Sequence, residues 1–175
     1  MTGLSLKVFN EDMIGLAWKF HVSPNSCENH DYYESYLKYY ALGDKKKGMG
    51  VTHVFLADDG NEICGYVTLR ATSLSSAGED GKHLVAPAIE IAELAVDENY
   101  ERQKIGTMLL NAAIAFAAEL RENSIGVEYV VVCADPDAVQ FYERYFDKLS
   151  DVYEYLHDGW NNEACVPMYM KLPEE

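Results

Sequence analysis

No two of the four cysteines, Cys27, Cys64, Cys133 and Cys165, are close enough to form a CxxC pair, and no histidine spacing completes a zinc pattern with them. A structural zinc site and a CxxC redox motif are therefore not expected, and no metal ligand set is assigned. Cys64 and Cys133 lie in apolar runs and read as buried thiols. No apolar run approaches the roughly 20 residues of a membrane span. Met1 to Asn10 lacks a basic region followed by a long apolar stretch, so no signal peptide is expected. The default expectation is a reducing cytoplasm and no membrane partner. Repeats, low-complexity tracts and proline-rich linkers are absent too. Positive charge is scarce: 14 basic residues stand against 29 acidic ones, a net charge of -15. Such a surface repels phosphate backbones and argues against broad nucleic-acid binding. It suits a cationic substrate such as an amine, or it simply keeps the protein soluble.

What is present is the composition of a globular chain. Hydrophobic residues make up 49% of the 175 positions, and 13 are tyrosine. The length fits one domain, 1–175, with a sizeable core. Leu4 to Phe9 reads as a first strand. Asn10 to Phe20 and His30 to Leu42 read as helices, the second with Tyr33, Tyr36, Leu37 and Tyr40 on one stripe. Asp44 to Gly50 reads as a basic loop. Val51 to Ala57 and Glu62 to Thr72 form a hairpin about Asp58-Asp59-Gly60-Asn61. Ser73 to His83 reads as an exposed loop, and Pro87 to Val96 as the next strand. Ile105 to Leu120 is a helix with Ile105, Leu109, Ala113, Phe116 and Leu120 on one face. Val127 to Cys133 is a buried strand. Asp135-Pro136 caps a helix running to about Phe146. Val152 to Leu156 and Val166 to Leu172 are late strands. The order predicts an α/β (α+β) fold, a mixed, mostly antiparallel central sheet flanked by helices.

Chemistry concentrates where the strand ending Leu94-Ala95-Val96 passes through Asp97 to Lys104 into a helix at Ile105-Gly106-Thr107. A helix start offers N–H groups without intrahelical acceptors and a positive dipole end, a ready anion site. Gly106 lets the backbone approach a pyrophosphate closely, and Arg102 and Lys104 add positive charge. Spacing alone is equally compatible with an ordinary strand-to-helix connection. Glu90 and Glu93 lie on the preceding strand. Their odd separation puts them on opposite faces, as candidate bases or as paired strand residues.

The segment resembles the acetyl-CoA-binding motif of the GNAT superfamily of N-acetyltransferases, Gln/Arg-x-x-Gly-x-Gly/Ala. Glu101, Arg102, Gln103, Lys104, Ile105 and Gly106 occupy its six positions. Gly106 matches strictly, Glu101 stands in place of Gln/Arg, and Lys104 in place of the first glycine. Gly65-Tyr66-Val67-Thr68-Leu69 resembles the family's third strand, and Phe141-Tyr142 its Phe-Tyr pair. The resemblance implies acetyl-CoA as co-substrate, held by Leu94, Ala95, Val96 and the turn from Glu101 to Thr107. The amide of Val96 would polarise the thioester carbonyl. Tyr142 would be the general acid that protonates the leaving thiolate, although by position alone it reads as a core aromatic. The catalytic glutamate of the superfamily's histone acetyltransferases, sixteen residues before the last motif glycine, falls on Glu90 here. Many other members use water instead.

Asn25-Ser26-Cys27-Glu28, Leu37 to Lys47, Pro87-Ala88 and Phe141-Tyr142 look similar to GNAT toxins of bacterial toxin–antitoxin pairs, which acetylate aminoacyl-tRNA. Phe146-Asp147 stands where those toxins carry Gly-Phe. The expected activity is transfer of an acetyl group to a primary amine of a small molecule or peptide. Acetylation of aminoacyl-tRNA and a non-enzymatic acyl-CoA-binding role are the alternatives. The acceptor pocket would be built by the first helices and the Ser73 to Val85 loop. The tyrosines at 32, 33, 36, 39 and 40 either line it or pack. Dimerisation is common in the family, so a homodimer is expected on that ground.

Overall fold

The computed structural model describes residues 5–57, 59–77, 83–149, 153–155 and 165–174. Its contacts divide into two compact units. One comprises Met1–Arg70 with Ala92–Ala113, the other Ala71–Ile91 with Ile114–Glu175. Strands β3 (Ile63–Ala77) and β4 (His83–Val96) and helix α4 (Ile105–Asn123) contribute to both.

In the first unit β1 (Ser5–Val8) pairs antiparallel with β2 (Val51–Leu56), and β2 pairs antiparallel with β3. The β2–β3 turn is the expected one: Gly60 has a φ of 70°, and Asp59 Oδ1 accepts from the Asn61 N–H at 2.9 Å. Between β1 and β2, Asn10 caps a 3-10 turn that leads into α1 (Ile14–Ala17). Helix α2 (His30–Ser35) passes through a π-helical segment, Tyr36–Tyr40, into α3 (Ala41–Lys47). The basic loop expected at Asp44 to Gly50 is thus helical through Lys47. Its lysines complement the helix C-terminus, and Gly48, with a φ of 71°, ends it in the left-handed region. Phe9, Phe20, Leu37, Val54, Ile63, Tyr66 and Ala95 belong to one buried cluster. Thr52 and Thr68, buried on facing strands, satisfy each other at 2.8 Å.

The exposed loop expected at Ser73 to His83 is shorter than its composition suggests. Strand β3 continues to Ala77 and pairs there with β7 (Tyr153–Tyr155), Leu74 opposite Tyr155, and Leu74 and Ser75 are buried. Sheet pairing overrides the polar composition. In the second unit β4 pairs in parallel with β5 (Tyr129–Ala134) from Ala88↔Tyr129 to Ile91↔Val132. Strand β8 (Val166–Lys171) runs antiparallel to β5 and to the short β6 (Asp147–Lys148). The strand order is β1-β2-β3-β4-β5-β8-β6, with β7 on β3, a mixed and mostly antiparallel sheet. Val130 to Val132 are buried, as a central strand requires. On α4 the buried stripe is Ile105, Leu109, Leu110, Ala113 and Ala117, while Phe116, expected inside, is 38% exposed. The helix expected to reach Phe146 is a 3-10 turn, Pro136–Ala138, and one α-turn, α5 (Val139–Tyr142). Past its end the N–H groups of Tyr145 and Phe146 both donate to the Tyr142 carbonyl at 3.0 Å, so the chain keeps one more turn. Cys133 is not a thiol: its sulfur is bonded to that of Cys165. Cys64 is a buried thiol, as expected. Among the described residues no helix is long and apolar enough to cross a membrane.

Gly65 positions the start of α4. A Cβ there would lie 2.9 Å from the Ala95 carbonyl oxygen, 2.9 Å from Leu109 Cδ1 and 3.0 Å from Ile105 Cγ2. Gly65→Ala is expected to destabilise the protein by about 2 kcal/mol, read as a lower denaturant midpoint. Reduction of Cys133–Cys165, which closes a loop of sequence separation 32, is expected to cost about 3 kcal/mol. An unchanged melting curve after complete thiol titration would refute that figure.

Candidate functional site

The end of β4 is held by one carboxylate. Asp97, 4% exposed, donates its N–H to the Cys64 carbonyl at 2.9 Å. Its Oδ1 accepts from the Asn99 N–H at 2.9 Å and the Asn99 side-chain amide at 3.0 Å. Its Oδ2 accepts from the His21 N–H at 3.0 Å, and the Glu98 N–H donates to the His21 carbonyl at 2.8 Å. Asp97 therefore caps the 3-10 turn Glu98–Tyr100 and ties the strand end to the chain leaving α1. Asp-x-Asn after an apolar run is an N-cap signal that identifies this residue in retrospect.

The turn that follows carries both non-glycine residues of positive φ among the described residues, Arg102 (φ 59°) and Lys104 (φ 65°). Lys104 holds this left-handed backbone without a glycine's freedom to ease it. Such a conformation costs an L-residue about 1 kcal/mol. The Lys104 carbonyl accepts from the Met108 N–H at 3.0 Å and opens α4. The N–H groups of Ile105, Gly106 and Thr107 then belong to the first helical turn, which has no intrahelical acceptors for them. Left-handed and helical residues in succession aim backbone N–H groups into one concavity, the geometry of an anion nest. Arg102, Gln103 and Lys104 are exposed. The Glu101 side chain makes a contact of its own, its Oε1 accepting from the Ser26 hydroxyl at 2.6 Å. The side chain that replaces Gln/Arg therefore braces the turn against the loop before α2.

The parallel ladder of β4 with β5 ends at Ile91, and Leu94, Ala95 and Val96 lie beyond it. Glu93, 7% exposed, accepts from the Tyr32 hydroxyl at 2.7 Å through Oε1. The Tyr66 hydroxyl donates to the Tyr33 carbonyl at 2.8 Å, and the Tyr36 hydroxyl to Asp44 Oδ2 at 3.1 Å. Burial and the Glu93 charge push the Tyr32 phenol far above its usual range. Burial, with the Asp44 and Glu93 carboxylates, pushes Tyr36 up to about 12. These phenols stay protonated donors. The first unit thus brings together Glu93, Leu94 to Val96 and the turn from Glu101 to Thr107. Glu90, 4% exposed and opposite Val131, belongs to the second unit, as does Tyr142. Tyr142, 5% exposed, stands edge-on to Phe141 and Phe146 at centroid distances of 4.9 and 5.8 Å.

Glu34 went unrecognised in the sequence because only Lys38 among its partners is local, and His21 and Val22 lie 13 and 12 residues away. Its Oε1 accepts from the Val22 N–H at 3.0 Å, and its Oε2 meets the Lys38 ammonium at 2.8 Å and His21 Nδ1 at 3.2 Å. Burial alone would raise its pKa. The Lys38 bond, the Val22 N–H and the neighbouring charges outweigh burial and hold the carboxyl below its ordinary value.

A mixed, mostly antiparallel sheet flanked by helices, with a left-handed turn between β4 and α4, is the α/β frame on which this candidate site sits. The model of the acetyltransferase (GNAT) family matches residues 11–147. The chain belongs to that family, whose members are acetyl-CoA-dependent acyltransferases. Its fold is similar to a solved bacterial toxin, at a TM-score of 0.76 and 16% identity over 98% of this chain and 92% of that one. It is similar as well to a tyrosine-to-phenylalanine mutant of KacT, at 0.76 and 15% over 96% and 94%. AtaT complexed with acetyl-methionyl-tRNA matches at 0.73 and 15% over 94% of each chain. No curated relative matches the chain in sequence.

Lys104→Gly is expected to stabilise the protein by about 0.5–1 kcal/mol, a rise in melting temperature, by relieving the left-handed lysine. The Glu34 contribution is complete above its ordinary pKa of 4.5 and is lost as pH falls through the lowered folded value. Glu34→Gln should therefore destabilise the protein at pH 7. The gap to wild type should close on acidification, followed by urea unfolding in pH steps.

Proposed function

We propose that the chain transfers the acetyl group of acetyl-CoA to a primary amine of a small molecule or peptide. The observation that supports this reading is the left-handed turn at Arg102 and Lys104, which leads into the start of α4. Backbone N–H groups from Lys104 to Thr107 hold the pyrophosphate, aided by the exposed Arg102 charge. Beyond the β5 ladder, backbone groups of Leu94 to Val96 pair with the pantetheine arm. The Val96 amide polarises the thioester carbonyl as its oxygen becomes negative. The acceptor must lose a proton before its nitrogen attacks the carbonyl carbon. Glu93 or Glu90 takes that proton, directly or through water. The nitrogen–carbon bond forms, the carbon–sulfur bond breaks, Tyr142 gives its hydroxyl proton to the departing thiolate, and the second proton of the attacking nitrogen passes through water to restore the phenol.

A second reading, acetylation of aminoacyl-tRNA, is supported by the AtaT complex among the similar structures. The exposed lysines Lys45, Lys46 and Lys47 at the end of α3 add to it. Lys46 is, however, paired with Glu11 at 2.7 Å. Growth arrest on expression, with acetylated aminoacyl-tRNA in the cells, selects this reading. Harmless expression with turnover of a free amine selects the first.

Tyr142→Phe is expected to lower kcat about a hundredfold while acetyl-CoA binding, measured by calorimetry, stays within twofold of wild type. Failure of the wild-type protein to bind acetyl-CoA overturns the assignment.

A further inference from the structure

Two neighbouring residues of the turn before α4 are each fastened to a different part of the first unit. Glu101 Oε1 accepts from the hydroxyl of Ser26, in the loop before α2, at 2.6 Å. The Tyr100 hydroxyl donates to Oε2 of Glu62, the residue before β3, at 2.5 Å. Both are hydroxyl-to-carboxylate bonds, the short and charge-assisted kind. The bond to Glu62 pushes the Tyr100 phenol far above its usual range, so it stays a donor at every working pH. Within the turn the Gln103 side-chain amide donates to the Asn99 carbonyl at 3.1 Å, and Asn99 is itself held by Asp97. Asn99, Tyr100, Glu101 and Gln103 thus each use a side chain to hold the turn. The two left-handed residues alternate with them: Arg102 lies between Glu101 and Gln103, and Lys104 follows Gln103.

We propose that Ser26 and Glu62 are positioning residues for the coenzyme: acting through Glu101 and Tyr100, they hold this turn left-handed before acetyl-CoA arrives. An L-residue prefers right-handed or extended backbone, so a turn with Arg102 and Lys104 at positive φ needs support from outside itself. A glycine would need none. Here the support comes from two places, the loop before α2 and the turn before β3. Bonds this exposed add little to global stability, but a bias on a few backbone angles requires little. A ligand that meets only the left-handed form binds with an affinity reduced by the fraction of molecules that hold it. Removing an anchor lowers that fraction without touching a group that contacts the coenzyme. The anchors therefore act on coenzyme affinity, and not on the transfer step or on the acceptor.

The inference rests on the acetyl-transfer reading, and coenzyme A alone tests it without an acceptor. Coenzyme A is titrated calorimetrically into the full-length protein and its variants. Ser26→Ala and Tyr100→Phe should each weaken binding about fivefold, with melting temperatures close to wild type. Ser26→Thr, which keeps the hydroxyl, should bind within twofold of wild type. In turnover, KM for acetyl-CoA should rise by the same factor, while kcat and KM for the amine stay within twofold. Lys104→Gly supplies the sharper comparison. In that background the left-handed backbone needs less support, so adding Ser26→Ala should weaken binding less than twofold. A fivefold loss that persists with Lys104→Gly, or one that Ser26→Thr fails to rescue, overturns the positioning role. Equal rises in both KM values overturn it too. Wild-type binding with Ser26→Ala and Tyr100→Phe within twofold removes the anchors and leaves the acetyl-transfer reading standing. Failure of the wild-type protein to bind coenzyme A removes both.

Discussion

Where β3 passes under the start of α4 there is no room for a side chain, and much of the first unit depends on that contact. Gly65 lets Ile105 and Leu109 rest within about 3 Å of where a Cβ would stand, next to the Ala95 carbonyl. The last residues of β4 and the first turn of α4 are thereby held side by side. A backbone site for an extended thiol ester needs that adjacency, because neither hydrogen-bonding groups nor helix dipoles reach far. A methyl group at position 65 would act on the turn before α4 through packing alone.

Hydrogen bonds to two carboxylates complete what packing begins. Asp97 binds the strand end to His21, and Glu34 binds Val22 and Lys38. The neighbouring residues His21 and Val22 are thus gripped from the turn on one side and from α2 on the other. Ser26 adds a third tie through Glu101. Tyr32, one turn along α2 from these anchors, inherits a fixed place over Glu93. The turn from Glu101 to Thr107 and the tyrosine cluster share a single set of polar supports, so the loop between α1 and α2 is structural in spite of its polar sequence.

Much of this was legible in the sequence because it is local. The β2–β3 turn, the apolar β5 run and the α4 stripe from Ile105 to Ala113 follow from short-range pattern, and Gly65 and Gly106 stood in recognisable surroundings. What escaped was non-local. Strand pairing drew Leu74 and Ser75 into the sheet although their neighbours read as loop. A covalent bond took Cys133 out of the thiol class. Lysines that suggested a loop extend α3 because a helix C-terminus welcomes them. At the candidate site, Lys104 looked like a defect in a glycine motif. The backbone there is left-handed at Lys104 itself, a fact no residue-by-residue comparison of motifs contains. Tyr32 was one of five indistinguishable tyrosines until a carboxylate 61 positions away singled it out.

The π-helical turn at Tyr36–Tyr40 has a bearing on how this rod can vary. Each residue of an α-helix advances about 100° around its axis, so in an uninterrupted helix the azimuth of Tyr32 would dictate that of Ala41 and Asp44. The wider turn breaks that bond of phase, and the Tyr36 hydroxyl clasps Asp44 across it. The half of the rod that faces Glu93 and the half that packs into the core are each free to keep their own rotational setting. The wider turn serves as a slip joint between the half of the rod that meets Glu93 and the half that packs into the core.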